Sequence, residues 1–213
     1  MMRTDLAREP GAIRVRPARE GDLEAAAAIL VAGFRGQFEA AFAERVDRAE
    51  RIVARTLTLE VPRGLPGLYV AEVERRVVGT IALRRQTDPY ASDWESSGIL
   101  VDELGLWGGL RAMFCFSLLD QSCGHDEVYV SDVAVAPTMR RQGVGTALLA
   151  HADQVARAWG KAALALDVTA RNETAIRLYR QSGYVVQRRR RLLLAGWLLH
   201  EGTWVRMRKT LTA

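Results

Sequence analysis

The chain has 213 residues, 49% of them hydrophobic, enough to bury one full core, and no apolar stretch reaches the ~18 to 20 residues that a bilayer crossing requires. Its formal net charge is +5 and its pI about 9.7, which admits an anionic ligand, nucleic acid or an acidic surface as partner. Only Lys161 and Lys209 are lysines among 30 basic residues, and this arginine habit weakens charge as a functional signal.

Residues 1–11, without an apolar segment behind their charges, are read as an N-terminal tail, and 12–213 as one domain of a cytoplasmic protein that does not enter a membrane. "AIRVRPA" from Ala12 alternates with period two and predicts a first strand. "REGDLEAAAAILVAGF" changes to helical spacing, with Gly21-Asp22 as its start and a stripe through Leu23, Ala27, Leu30 and Phe34. A second helical region is expected over Gln37 to Leu59, ended by the turn between Pro62 and Pro66. "GLYVAEVERRVVGTIALRR" reads as a hairpin about Glu74-Arg75-Arg76.

Residues 86–123 form an insertion: a polar, turn-rich lead, then one or two apolar helices broken at Gly108-Gly109. Leu104, Leu106, Trp107, Leu110, Phe114 and Leu118 predict an amphipathic piece that either packs on the domain as a lid or builds a dimer interface, leaving monomer and homodimer both open. "EVYVSDVAVAP" is a buried-type strand stopped at Pro137, and "KAALALDVTA" is another. "NETAIRLYRQSGY" predicts a helix capped by Asn172 and closed by Gly183, and "YVVQRRRR" and "GTWVRMRKTL" a final antiparallel pair.

Cys115 and Cys123 match neither a disulfide framework nor a C-x-x-C pattern and read as buried structural thiols. His125, His151 and His200 have no ligand spacing, so no metal is expected.

The chemistry is carried by "APTMRRQGVGTALLAHADQVARAWG", residues 136–160, which sets a basic, glycine-softened turn before a helix. A helix N-terminus offers unpaired N–H groups and partial positive charge, and glycine lets a phosphate approach the backbone. A P-loop needs lysine after its second glycine, whereas Thr146 follows Gly145, and a dinucleotide fingerprint needs a small residue where Leu148 stands.

The full order is strand "VAV", "APTM", Arg140-Arg141-Gln142-Gly143-Val144-Gly145, helix, strand "LALDV", Asn172 and Tyr179. It resembles the GNAT acetyltransferase superfamily, whose pyrophosphate loop reads Arg/Gln-x-x-Gly-x-Gly/Ala. The motifs span about Val128 to Tyr184, and the element order fits that fold from Ala12 onward. The resemblance implies an α/β single-domain fold whose mixed, mostly antiparallel sheet of about seven strands is splayed at the acetyl-CoA site.

It further implies acetyl-CoA as cosubstrate and direct attack by a primary amine of a small molecule or protein N-terminus, with no covalent enzyme intermediate. Backbone N–H groups of Arg141, Gln142, Gly143, Val144, Gly145 and Thr146 are then expected on the pyrophosphate, with charge from Arg140 or Arg141. The backbone of Val133, Ala134 and Val135 would pair with the pantetheine amides, an N–H at Val135 serving as oxyanion donor. Asn172 would contact the pantetheine arm, and Tyr179 would stand by the sulfur as general acid.

The base is left between Asp132, placed by strand alternation on the face of Ala134, and Asp167, where ribosomal-protein N-terminal acetyltransferases of the superfamily carry a glutamate; Glu127 is a third choice. Asp88, Asp93, Glu95, Asp102 and Glu103 would attract a cationic amine if the insertion lines the acceptor cleft. Two other function classes compete: a nucleic-acid binder using Arg188 to Arg191, and an acetyl-CoA sensor without turnover.

Overall fold

The computed structural model describes residues 11–86, 88, 93–117, 124–191 and 202–211. Cys123, His200, Leu118, residues 1–10 of the tail and the side chains of Asp93 and Glu95 lie outside this description.

One seven-stranded sheet organises the chain: β1 (Arg14–Pro17), β2 (Leu68–Val73), β3 (Arg76–Arg84), β4 (Glu127–Val135), β5 (Ala163–Thr169), β6 (Val185–Arg191) and β7 (Thr203–Thr210). Their spatial order is β1-β2-β3-β4-β5-β7-β6. Every neighbour pair is antiparallel except β4 and β5. The β2–β3 hairpin turns on Glu74 (φ 47°) and Arg75 (φ 65°), the two left-handed positions whose twist matches that of the flanking strands. β7 inserts between β5 and β6, so the arginine run of β6 stands on the sheet's edge.

Helix α1 (Leu23–Gly33) presents Ile29 and Leu30 to Ala134 of β4. Helix α5 (Val144–Ala158) buries Val144, Leu148, Leu149, Ala152 and Ala156 in the principal core with Val128 and Val130. The spacing of these five positions is the 3.6-residue period of a helix with one covered face.

The helical region expected over Gln37 to Leu59 consists of α2 (Arg35–Phe42) and α3 (Ala49–Thr58), joined by a 3-10 turn over Ala43–Arg48. Ala43 has φ 51° and ψ −125°, which ends the α-helical path. The bend lets Phe42 and Ile52 share a second core with Leu100 and Leu104 of α4 (Asp93–Ser117).

Within the insertion, α4 breaks at Gly105 (φ 75°, ψ 170°) rather than at Gly108-Gly109. A Cβ on Gly109 would lie 2.9 Å from Val101 Cγ2 and 3.0 Å from its Cα, so the two halves of α4 fold closely together there. Of the expected stripe, Leu104 is buried, together with Ile99, Leu100, Ala112 and Cys115, whereas Leu106, Trp107, Leu110 and Phe114 face outward. Burial pushes the Cys115 thiol up, away from reactivity.

Candidate active site

β4 and β5 are hydrogen-bonded only at Glu127↔Ala163, Val128↔Leu164 and Tyr129↔Ala165. Beyond Tyr129 the strands part, although β4 remains paired with β3 as far as Val135 and β5 with β7 as far as Thr169. The gap therefore has a free backbone edge on each side.

The orientation of that edge follows from the ladder. Ala136 N–H donates to the Val78 carbonyl at 2.9 Å, so Val135, one residue earlier, turns its N–H and carbonyl away from β3 and into the gap. The Val135 carbonyl indeed meets Arg140 Nε there, at 3.5 Å. On the far wall Ala170 N–H donates to Thr203, which turns the Thr169 N–H of β5 toward the same gap.

The sheet is also bulged at the site. Ser131 faces Ala82 and Ala134 faces Thr80, so Asp132 and Val133 share Ile81 as their one partner. Asp132 takes φ 55°, a conformation that aspartate tolerates better than most residues. The bulge shifts the alternation: Val128 and Val130 pack in the core beside α5 before it, Val133 and Val135 after it, and Ala134 turns to α1. Simple alternation, as expected from the sequence, does not place Asp132. Its carboxylate accepts from Ser131 Oγ at 3.1 Å and lies 3.9 Å from Arg84, with the side chain 38% exposed.

Below the open edge, residues 140–143 form turns that lead into α5. Arg141 (φ 65°) and Gly143 (φ 83°) are both left-handed, and Gly143 is the N-cap residue of α5 without any side-chain cap. The first bond into the helix runs from Ala147 N–H to the Gly143 carbonyl, so the N–H groups of Val144, Gly145 and Thr146 precede any intrahelical acceptor. Gly145 is closely packed: a Cβ there would meet the side-chain tip of Leu178, Cδ2, at 2.9 Å.

Helix α6 (Glu173–Gln181) begins at Asn172, whose Oδ1 accepts the Ala175 N–H at 3.1 Å. It ends where Tyr184 N–H returns to the Tyr179 carbonyl at 2.9 Å, with Gly183 at φ 91°. Tyr179 is buried, its ring 5.9 Å from that of Tyr184, and desolvation pushes its hydroxyl up to about 12.

A cavity of about 750 Å³ runs through the gap and gathers Asp132, Val133, Asp167, Asn172 and Tyr179 on its wall. Four of the sequence-derived candidates outside the phosphate turn are thus adjacent in space, together with Val133 of the strand edge. Asp167 differs from Asp132 in its partners. Arg206 Nη1 donates to it at 2.6 Å and Tyr129 Oη at 3.4 Å, and the Arg206 guanidinium sits 5.1 Å from the Tyr129 ring centre. Burial, then the Asp167 charge, pushes the Tyr129 hydroxyl up. Glu127 lies at the closed end of the seam, bound to Arg208 at 2.5 Å; desolvation raises its carboxyl, and Arg208, the Gly124 N–H and Arg206 together more than offset this, leaving it lowered.

Sequence reasoning missed Tyr129, Arg84, Arg171 and Arg190, all on the cavity wall. Tyr129 follows the alternation of β4 before the bulge, a signal present in "EVYVS"; the arginines are brought together only by strand order. Arg190 faces the cavity while β6 alternates, so Arg188 to Arg191 do not form one continuous basic face.

The insertion's described acids are engaged elsewhere. Glu103 accepts from Arg51 at 2.6 Å and Arg55 at 2.8 Å, Asp102 lies 3.5 Å from Arg55, and Asp88 accepts from Arg85 at 2.8 Å.

A parallel strand pair that parts beside a basic, glycine-bearing helix N-terminus is the arrangement implied by the resemblance to the GNAT superfamily. The pattern described as "Acetyltransferase (GNAT) family" matches residues 33–184, and the chain belongs to that family. A streptothricin acetyltransferase of Streptomyces lavendulae is 36% identical over 69 residues, a match that spans 32% of this chain and 36% of that relative. A ribosomal-protein-alanine N-acetyltransferase of Brucella melitensis superposes with a TM-score of 0.59 at 24% identity, over 93% of this chain and 99% of that one. The ribosomal-protein-S18-alanine N-acetyltransferase of Escherichia coli gives 0.56 at 18% identity, over 95% and 96%. At these identities the two structures show likeness of fold. Among the described residues, no helix is long and apolar enough to cross a membrane.

Proposed function

We propose that the protein transfers an acetyl group from acetyl-CoA to a primary amine within the gap between β4 and β5. The observation that carries this reading is the double edge of the gap: N–H groups at Val135 and Thr169 face one slot, with the start of α5 beside it. An amide-bearing arm laid there would complete the ladder as an added strand. Its diphosphate would meet the N–H groups of Val144, Gly145 and Thr146, with the guanidinium groups of Arg140 and Arg141 adjoining in sequence.

A bound acetyl-CoA supplies a thioester, whose acyl carbon bonds to the amine nitrogen as its C–S bond breaks. Asp132, its side chain 38% exposed and Arg84 3.9 Å away, takes the amine proton directly or through one water. Tyr179 gives its proton to the departing sulfur and regains one from solvent; burial keeps that proton in place across the physiological range. The Val135 N–H polarises the acyl oxygen. Asp167 holds the far wall through Arg206 and is the alternative acceptor of the amine proton.

The test is direct: calorimetric titration with acetyl-CoA, then thiol release over a panel of amines. Binding with amine-dependent thiol release supports the reading. Binding without release for any amine returns the non-catalytic sensor, and no binding removes the assignment altogether.

A further inference from the structure

We infer that the acetyl acceptor is a primary amine on an apolar, ring-bearing body, and not a polycation; this rests on the acetyltransferase reading above. The cavity has two unlike ends. Around Asp132 and Tyr179 it is polar, whereas the end built by α1 to α4 is walled by Phe34, Phe38, Phe42 and Phe116 with Ile52 and Leu100. Three of those rings hold one another: Phe38 and Phe42 lie 5.5 Å apart, Phe38 and Phe116 6.4 Å, and Phe42 and Phe116 6.1 Å, with interplanar angles of 54° to 83°. Such tilted contacts fix the wall before any ligand arrives.

Charge argues in the same direction. Among the described residues, the carboxylates on the cavity wall are Asp132 and Asp167. Asp167 is matched by Arg206 at 2.6 Å. The described acids of the insertion that could have drawn in a cation are bound to Arg51, Arg55 and Arg85. A polyamine entering this space would strip water from its charges against phenyl rings. A molecule with one amine at Asp132 and a ring against Phe38 and Phe116 meets no such penalty.

The experiment compares kcat/KM for phenethylamine and tryptamine with that for spermidine, ethanolamine and a streptothricin-class antibiotic, alongside calorimetric acetyl-CoA binding. The ring-bearing amines should lead by roughly 10- to 100-fold, the order expected from burying one aromatic group. Phe38→Ala should raise the Michaelis constant for phenethylamine by about 10-fold and leave acetyl-CoA affinity unchanged. Equal or better use of spermidine or the antibiotic overturns the inference. So does acetyl-CoA binding without turnover of either ring-bearing amine, which leaves the cofactor half of the functional reading standing. Absence of acetyl-CoA binding removes both. If Phe38→Ala does not fold, the wild-type panel decides by itself.

Discussion

Asp132 stands opposite Ile81 together with its own neighbour Val133, so the carboxylate projects from a bulge at φ 55° instead of from a regular strand. That position is both its means of reaching the cavity and the reason that asparagine is the right probe, because asparagine also tolerates the left-handed region. Asp132→Asn should lower kcat by roughly 10²-fold or more, the usual worth of a positioned base, without a change in thermal stability beyond a few degrees. Steady-state kinetics beside a melting curve check it; an unchanged kcat transfers the proton to Asp167 or to water.

Tyr179→Phe preserves the buried ring and removes the hydroxyl. Turnover should fall toward the low end of roughly 10² to 10⁴-fold, since a thiolate leaves readily, and acetyl-CoA affinity should stay constant. With its hydroxyl held up to about 12 by burial, against about 10 for an exposed tyrosine, Tyr179 should impose no loss of kcat between pH 7 and 10. A kcat profile that falls with a midpoint near 9 and flattens in the phenylalanine variant would count against its role.

Asp167→Asn separates support from chemistry. It leaves Arg206, whose side chain is 6% exposed, facing Glu127 at 3.8 Å in place of its 2.6 Å partner. Stability should drop by about 3 kcal/mol, as for a buried pair broken on one side. Chemical denaturation with an unchanged midpoint would mean that the pair contributes little.

The phosphate turn is tested best by comparing its two glycines. Gly143→Ala forces a Cβ onto φ 83° in otherwise open space, a strain of about 1 to 2 kcal/mol, and should weaken acetyl-CoA binding about 10-fold. Gly145→Ala meets only the flexible tip of Leu178 and should cost less. Calorimetry giving the reverse order would relocate the diphosphate.

At the other end of the sheet, Arg16 holds Asp22 at 2.6 Å and Glu72 at 2.8 Å, and the guanidinium lowers the Asp22 carboxyl below its usual range. A carboxyl lowered on folding contributes stability that is present above its unfolded value of about 4 and is lost as pH falls through the lower, folded value. Asp22→Asn should therefore destabilise at pH 7 by about 1 to 3 kcal/mol, with the two stability curves converging in acid. Parallel curves down to pH 2 would contradict this.

Much of this could be read from the chain because it is local. The left-handed turn at Glu74 and Arg75, the cap at Asn172 and the glycines before α5 each act within a few residues, and each falls where the sequence places it. The bulge at Asp132 does not, since its φ is set by what β3 offers across the ladder. The destination of Glu103 was equally hidden: its partners Arg51 and Arg55 lie about fifty residues earlier, on a helix whose rotation depends on the kink at Ala43. The insertion carries its own break at Gly105, with Cys115 buried and Trp107 82% exposed.

The seam of three residue pairs between β4 and β5 gives the molecule an unusual mechanical plan. β1 to β4 form one plate and β5 to β7 another, and across the open part of the gap the plates have no rungs in common. A guest seated there would act as the missing rungs, so the bonds that hold it would also stiffen its host. Tight grip and easy release then oppose each other, and departure of the spent guest requires the two plates to part.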